Sequence, residues 1–272
     1  MEITSEFQYS QKHKEDLQRL KNFRLLDDDF LTKVFEDIEC VELLLRIILK
    51  KDNLKVTEVH SQHNMKNLQG RSARLDIFAV DSTGDIFNIE VQRSNQGAIP
   101  RRARYNSSII DANVTEPGNE YEKLPESFVI FITENDVMKA GLPLYHIDRF
   151  VTETGHLFND DSHIIYVNSQ VKDETTLGKL MHDFSCTDPS DMNYKILADR
   201  VRFFKESKEG VLAMCQMLEE MRNETALEAT QKAAKNFALR LIIRGKDSLE
   251  EIAEITELPL DEIHHLEKTR RI

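Results

Sequence analysis

Two carboxylates and a carboxamide recur within one short stretch, residues 75–92, LDIFAVDSTGDIFNIEVQ: Asp76 near its start, and Glu90 and Gln92 around Val91 at its end. Two acids held on a rigid support can bind a hard divalent cation, because magnesium takes oxygen ligands, usually one or two carboxylates completed by phosphate and water. The Val91 carbonyl, between the two polar side chains, could supply a further oxygen. A cation placed there would face a phosphate, and the chemistry that follows is phosphodiester hydrolysis.

The support must be a β-hairpin. Residues 77–80, IFAV, and 86–91, IFNIEV, are strand-prone apolar runs on either side of DSTGD. A three-residue loop ending in Gly84 suits a type I turn closed by a left-handed residue. Centred on Thr83, that loop pairs Asp81 with Asp85 and, by the same count, Asp76 with Glu90. Alternation along the second strand puts Asn88, Glu90 and Gln92 on one face and Ile89 and Val91 on the other. Asp81 and Asp85 flank the turn and read as turn residues.

Charge sets the surroundings. The 272-residue chain carries a net charge of −12, against indiscriminate binding to a polyanion. Yet residues 71–104 hold six arginines (Arg71, Arg74, Arg93, Arg101, Arg102, Arg104), no lysine, and four acids, two of them the proposed ligands. Arginine presents a planar fork that matches phosphate oxygens. A basic rim around an acidic site, on an acidic protein, suits an enzyme that binds and releases a nucleic acid.

The remaining elements follow from periodicity. Asp27-Asp28-Asp29 opens a helix whose apolar face runs from Leu31 to Ile48. Residues 54–60 alternate as a strand. Pro100 opens a helix, RRARYNSSIIDANV, with Arg101, Tyr105 and Ser108 on one side. SFVIFIT, 127–133, reads as a buried central strand, and 145–153 and 163–168 as two more. Strands and helices mixed in this order predict an α/β domain over residues 1–190. Residues 191–272 form a helical C-terminal extension, with Gly245 as a helix stop and Ser248-Leu249-Glu250-Glu251 as a capping box. Its last two helices have helix-turn-helix spacing, but residues 246–272 hold eight acids against four bases, which favours packing or homo-oligomerisation over reading DNA.

No stretch approaches the roughly 20 apolar residues of a membrane span, and the N-terminus lacks an apolar signal core. Cys40, Cys186 and Cys215 are odd in number and far apart, as reduced thiols of a cytoplasmic protein would be. His60 and His63 have no downstream partners for zinc.

With these residues in place, the chain resembles the PD-(D/E)XK nuclease family transposases, or Rpn-like recombination-promoting nucleases. LDIFAVDSTGDIFNIEVQ resembles the core motif in the variant with Glu-x-Gln for Glu-x-Lys. PRRARYNSSIID, EYEKLPESFVIFITENDV and GLPLYHIDRF resemble the segments that follow. The resemblance spans residues 28–168. It implies a restriction-endonuclease-like mixed sheet flanked by helices, and a DNA endonuclease dependent on Mg2+ or Mn2+. Asp76 and Glu90 match the motif acids, Gln92 stands at the usual lysine position, and Arg104 and Tyr105 match an Arg-Tyr pair facing substrate phosphate. The resemblance also implies an acid from the first core helix, for which Glu39 and Glu42 both qualify. Glutamine can hold a water by hydrogen bonds but brings no charge, so the metal and Arg104 would supply the electrostatics. Two other readings stand beside this one: a nuclease fold kept as a non-catalytic DNA-binding or assembly module, and a transposase that also joins strands.

Overall fold

The computed structural model describes residues 2–67, 70–94, 97–115, 117–118 and 120–270, the side chains of residues 2–11 and 270 excepted. The chain forms two compact units, residues 1–211 and 212–272. This boundary lies beyond the expected one at 190/191. The helix after residue 190 packs into the first unit, where Lys205 Nζ donates to the carbonyls of Phe23 and Thr187.

The first unit is built on a six-stranded mixed sheet of order β1-β2-β3-β4-β6-β5. Its strands are β1 (Val56–Met65), β2 (Ala73–Asp81), β3 (Ile86–Gln92), β4 (Ser127–Thr133), β5 (Leu144–Ile147) and β6 (Ser162–Asn168). β1–β2–β3 is an antiparallel meander, β3, β4 and β6 run parallel, and β5 closes one edge antiparallel to β6. The flanking helices are α1 (Glu2–Asn22), α2 (Asp28–Val34), α3 (Ile38–Leu49), α4 (Pro100–Val114), α5 (Thr176–Ser185) and α6 (Lys195–Glu206). The second unit continues α7 (Lys208–Arg244) and adds α8 (Leu249–Thr256) and α9 (Leu260–Arg270) around Ala238, Leu241, Ile252 and Ile263. No helix among the described residues is long and apolar enough to cross a membrane.

The hairpin has the expected register. Ile77 pairs with Ile89 and Val80 with Ile86, so Asp76 and Glu90 are the next pair along. The turn explains why. Gly84 takes φ +92°, and Asp81 Oδ1 accepts from Thr83 N, Thr83 Oγ1 and Asp85 N, a local closure that fixes the strands two residues either side. Both faces of β3 are buried, because α4, the crossover from β3 to β4, covers one of them. On that face Phe78, Ile86, Val129 and Phe131 pack with Ala103, Ile109 and Ile110 of α4. The face therefore carries Glu90 and Asn88 into contact with the helix.

Two expected elements differ. The helix predicted across Asp27–Ile48 is broken: α2 ends at Val34, and Asp37 starts α3 by accepting from Glu39 N at 2.9 Å. A residue that can cap a helix offers the chain a competing local hydrogen bond, and here it wins over continuity. The strand predicted over 145–153 stops at Ile147, beyond which only Phe150 and Leu157 form an isolated bridge.

Candidate active site

Glu90 and Asp76 approach one another at the end of the hairpin, and both are buried. A buried carboxylate must find donors. Glu90 Oε1 accepts from Asn88 Nδ2 at 3.0 Å, with Asn106 Nδ2 of α4 at 3.4 Å. Asn106 also donates to Asn88 Oδ1 at 3.1 Å, so the two amides form one bracket. Glu90 Oε2 takes Arg102 Nη2 at 2.5 Å, while Arg102 Nη1 donates to the Gly97 carbonyl at 3.1 Å. Asp76 Oδ2 accepts from Val91 N at 3.1 Å. In an extended strand the N–H and C=O of one residue share an edge, so the Val91 carbonyl lies on the side that Asp76 occupies. The Gln92 carbonyl, by contrast, accepts from Glu134 N on the β4 side.

The acid that joins this pair comes from α2. Asp28 stands beside the Asp76 carboxyl, with the charges of Arg102 and Arg74 near it. Burial raises the Asp76 pKa well above the usual carboxylate range, and Glu90 and Asp28 raise it further. Burial also raises Asp28, against the carboxyl of Asp76 and the charges of Arg102 and Arg74. Glu90 too is raised by burial, although Arg102 and Asn88 oppose the shift. The start of α2 is held in place by ion pairs: Arg93, next to Gln92, reaches Asp27 Oδ1 at 2.7 Å and Glu134 Oε2 at 3.1 Å, and Arg24 binds Glu134 at 2.9 Å.

Neither Glu39 nor Glu42 joins the cluster. Glu42 Oε2 accepts from Val56 N at 3.1 Å and its Oε1 pairs with Arg46 at 2.6 Å, at the far end of β1. Glu39 lines a groove with Lys195 and Arg200. The break between α2 and α3 is the reason, since it places the start of α2, not α3, at the hairpin end. Asp28 was legible only as a helix-dipole acid, although its place in the Asp27–Asp29 run ahead of the first core helix was the available signal.

Beside the acids opens a cleft of about 770 Å³ walled by Arg71, Arg74, Arg101, Arg102, Tyr105 and Asn106, with Gly97 at its edge. Arg74, Arg101 and Tyr105 thus meet in one place. Arg104 does not line it: the residue points out of α4, exposed, while Arg102 faces in. The Tyr105 hydroxyl donates to the Arg71 carbonyl and accepts from Asn67 Nδ2 at 3.1 Å, so it anchors the segment that carries Arg71. Gln92 turns toward Gly97: a Cβ built there would lie 1.6 Å from Gln92 Oε1. The missing side chain at 97 is what gives the amide room.

Elsewhere, ligand atoms on His182, Asp183 and Cys186 lie mutually within 4.8 Å, the one group of three so closely spaced among the described residues; Asp28, Asp76 and Glu90 are more widely set. Asp183 there accepts from Asn193 N, Asn193 Nδ2 and Tyr194 N, each at 2.8 Å. Those bonds fasten the chain entering α6 and use the carboxylate fully. Burial pushes the Cys186 thiol up to about 11, well away from the thiolate a metal requires.

Two buried carboxylates whose ionisation is opposed by burial, Asp76 and Glu90, with the exposed Asp28 beside them, fit a divalent cation, which would relieve the charge they cannot otherwise balance. The family model for PD-(D/E)XK nuclease family transposases matches residues 30–183. No curated protein and no solved structure matches the chain.

Proposed function

The chain belongs to the PD-(D/E)XK nuclease family transposases, and from that premise we propose that it is a metal-dependent DNA endonuclease, with Asp76, Glu90 and Gln92 at the chemical centre. The observation that carries this reading is the gathering of Asp28, Asp76 and Glu90 against a cleft walled by four arginines. Acids alone would repel a phosphate, and arginines alone would bind one without cleaving it.

Asp76, Glu90, the Val91 carbonyl and Asp28 would hold Mg2+ or Mn2+, which when bound supplies positive charge against the scissile phosphate and acidifies water. The chain's own residues do the rest. Arg71, Arg74 and Arg101 grip the phosphates and set the register of the backbone. The Gln92 amide, fixed beside Gly97, orients the attacking water through its Oε1 and cannot supply the charge a lysine would. Arg102, on the wall between acids and cleft, supplies it instead. Asn88 and Asn106 keep the Glu90 carboxylate aimed. Recombination or movement of mobile elements fits an enzyme of this kind, and its hydrolytic chemistry does not require strand joining.

Cleavage of supercoiled plasmid in Mg2+, Mn2+ or EDTA tests the reading, with Asp76→Ala as the comparison. Nicking that needs metal and disappears in the variant is the expected result. A wild-type protein that neither cleaves nor binds metal would leave a nuclease fold serving as a DNA-binding module.

A further inference from the structure

Glu90 has no exposed surface, yet half of its carboxylate depends on a residue that is 35% exposed, Arg102. Oε1 is bracketed by two buried amides, whereas the side-chain donor on Oε2 is this guanidinium. That division is the basis of the inference, which builds on the nuclease reading above. We propose that Arg102 is an exchangeable counter-ion: it neutralises Glu90 Oε2 while the site lacks a divalent cation, and moves to the substrate phosphodiester when a cation takes that oxygen.

Three features make the exchange workable. Arg102 is tethered lightly. Its other contacts are the Gly97 carbonyl, a neutral acceptor, and the face of Phe131 at 5.8 Å. It already stands in the cleft wall with Arg71, Arg74 and Arg101, so the movement is a rotation of the side chain within one cavity, and the other cations there favour an incoming anion. Finally, Asn88 and Asn106 hold Glu90 without Arg102, so the ligand oxygen stays in place when the guanidinium leaves. A guanidinium suits both posts, since its fork fits carboxylate and phosphate alike.

The test is calorimetric titration of Mn2+ into the full chain without DNA, for wild type, Arg102→Met and Arg102→Gln, with melting curves to establish folding. Removing the competing cation should tighten Mn2+ binding by about tenfold or more. Unchanged or weaker binding in the folded variants overturns the exchange. Glutamine keeps a donor for Glu90 and serves if methionine leaves the protein unfolded. Absence of Mn2+ binding in all three proteins would instead remove the metal site itself, and the nuclease reading with it. A second readout separates exchange from plain electrostatics: anisotropy of a labelled duplex in Ca2+ and in EDTA. Arg102→Met should weaken DNA binding in Ca2+ far more than in EDTA, where the wild-type guanidinium is engaged by Glu90. Equal losses under both conditions would make Arg102 an ordinary cleft arginine and refute the proposal.

Discussion

Asp76→Asn should make the metal-free protein more stable while removing its response to metal. The substitution is nearly isosteric. An asparagine Oδ1 can accept from Val91 N as Asp76 does at 3.1 Å, and its Nδ2 offers a donor on the side of Asp28. What disappears is an ionisable group that burial, Glu90 and Asp28 all disfavour. Each unit by which the folded state raises such a pKa costs about 1.4 kcal/mol once the solution pH exceeds it, so the expected gain near neutral pH is on the order of 1–2 kcal/mol. For a unit of 211 residues that corresponds to a rise in melting temperature of about 2–8 °C. Excess Mn2+ should reverse the order, because a ligand at 100 times its Kd stabilises wild type by about 2.7 kcal/mol and the variant has lost a ligand. Circular dichroism melts in EDTA and in Mn2+, with hydrogen exchange of the β3 amides as the local readout, measure both. A variant that melts lower than wild type in EDTA, or gains as much from Mn2+, refutes the account of Asp76 as a strained metal ligand.

Other consequences are equally direct. In Gly97→Ala the new methyl would displace Gln92 Oε1, the movable end of a flexible side chain; cleavage should drop by about 100-fold, as misplacement near 1 Å can cost, with little change in melting, and full activity would show that the Gln92 position is not used. Asn106→Leu strips donors from Asn88 and Glu90, so metal affinity by calorimetry should fall by about 10- to 100-fold, with a stability cost of about 1–3 kcal/mol from the unsatisfied acceptors. The raised carboxyls of Asp28, Asp76 and Glu90 leave the folded state with more bound protons than the unfolded. Their contribution to stability therefore falls as pH rises from the ordinary carboxylate range through the raised values, and levels off above them. Metal uptake should correspondingly release protons, seen as a binding heat that depends on the buffer's ionisation enthalpy.

The hairpin was readable because its determinants are local. Gly84 and the two aspartates around the turn set the register, and the register alone carries Asp76 to Glu90. The strand at 127–133 was equally plain, being apolar between Ser127 and Thr133 and buried on both faces. What sequence could not supply was the part set by packing. Arg102 and Asn106 lie four residues apart on α4, and they face the site because Ala103 and Ile110 seat the helix on the sheet. Read by spacing alone, Arg101 and Tyr105 defined the functional side and Arg102 stood out no more than its neighbours. Asp28 was hidden by a different error. An apolar period that continues from Leu31 to Ile48 reads as one helix, and only the cap at Asp37 reveals two. The acids that this period offers, Glu39 and Glu42, lie one helix too far along.

The arginine-lined cleft also sets how the protein meets its substrate in solution. On a chain of net charge −12, most of the surface repels a nucleic acid, and the long-range field turns the cleft toward it before contact. Four guanidinium contacts from that cleft would release counter-ions from the duplex with a salt slope of about −3.6, so raising salt from about 50 to 200 mM would weaken binding about 150-fold. Ionic strength, more than protein concentration, would then decide how long each encounter lasts.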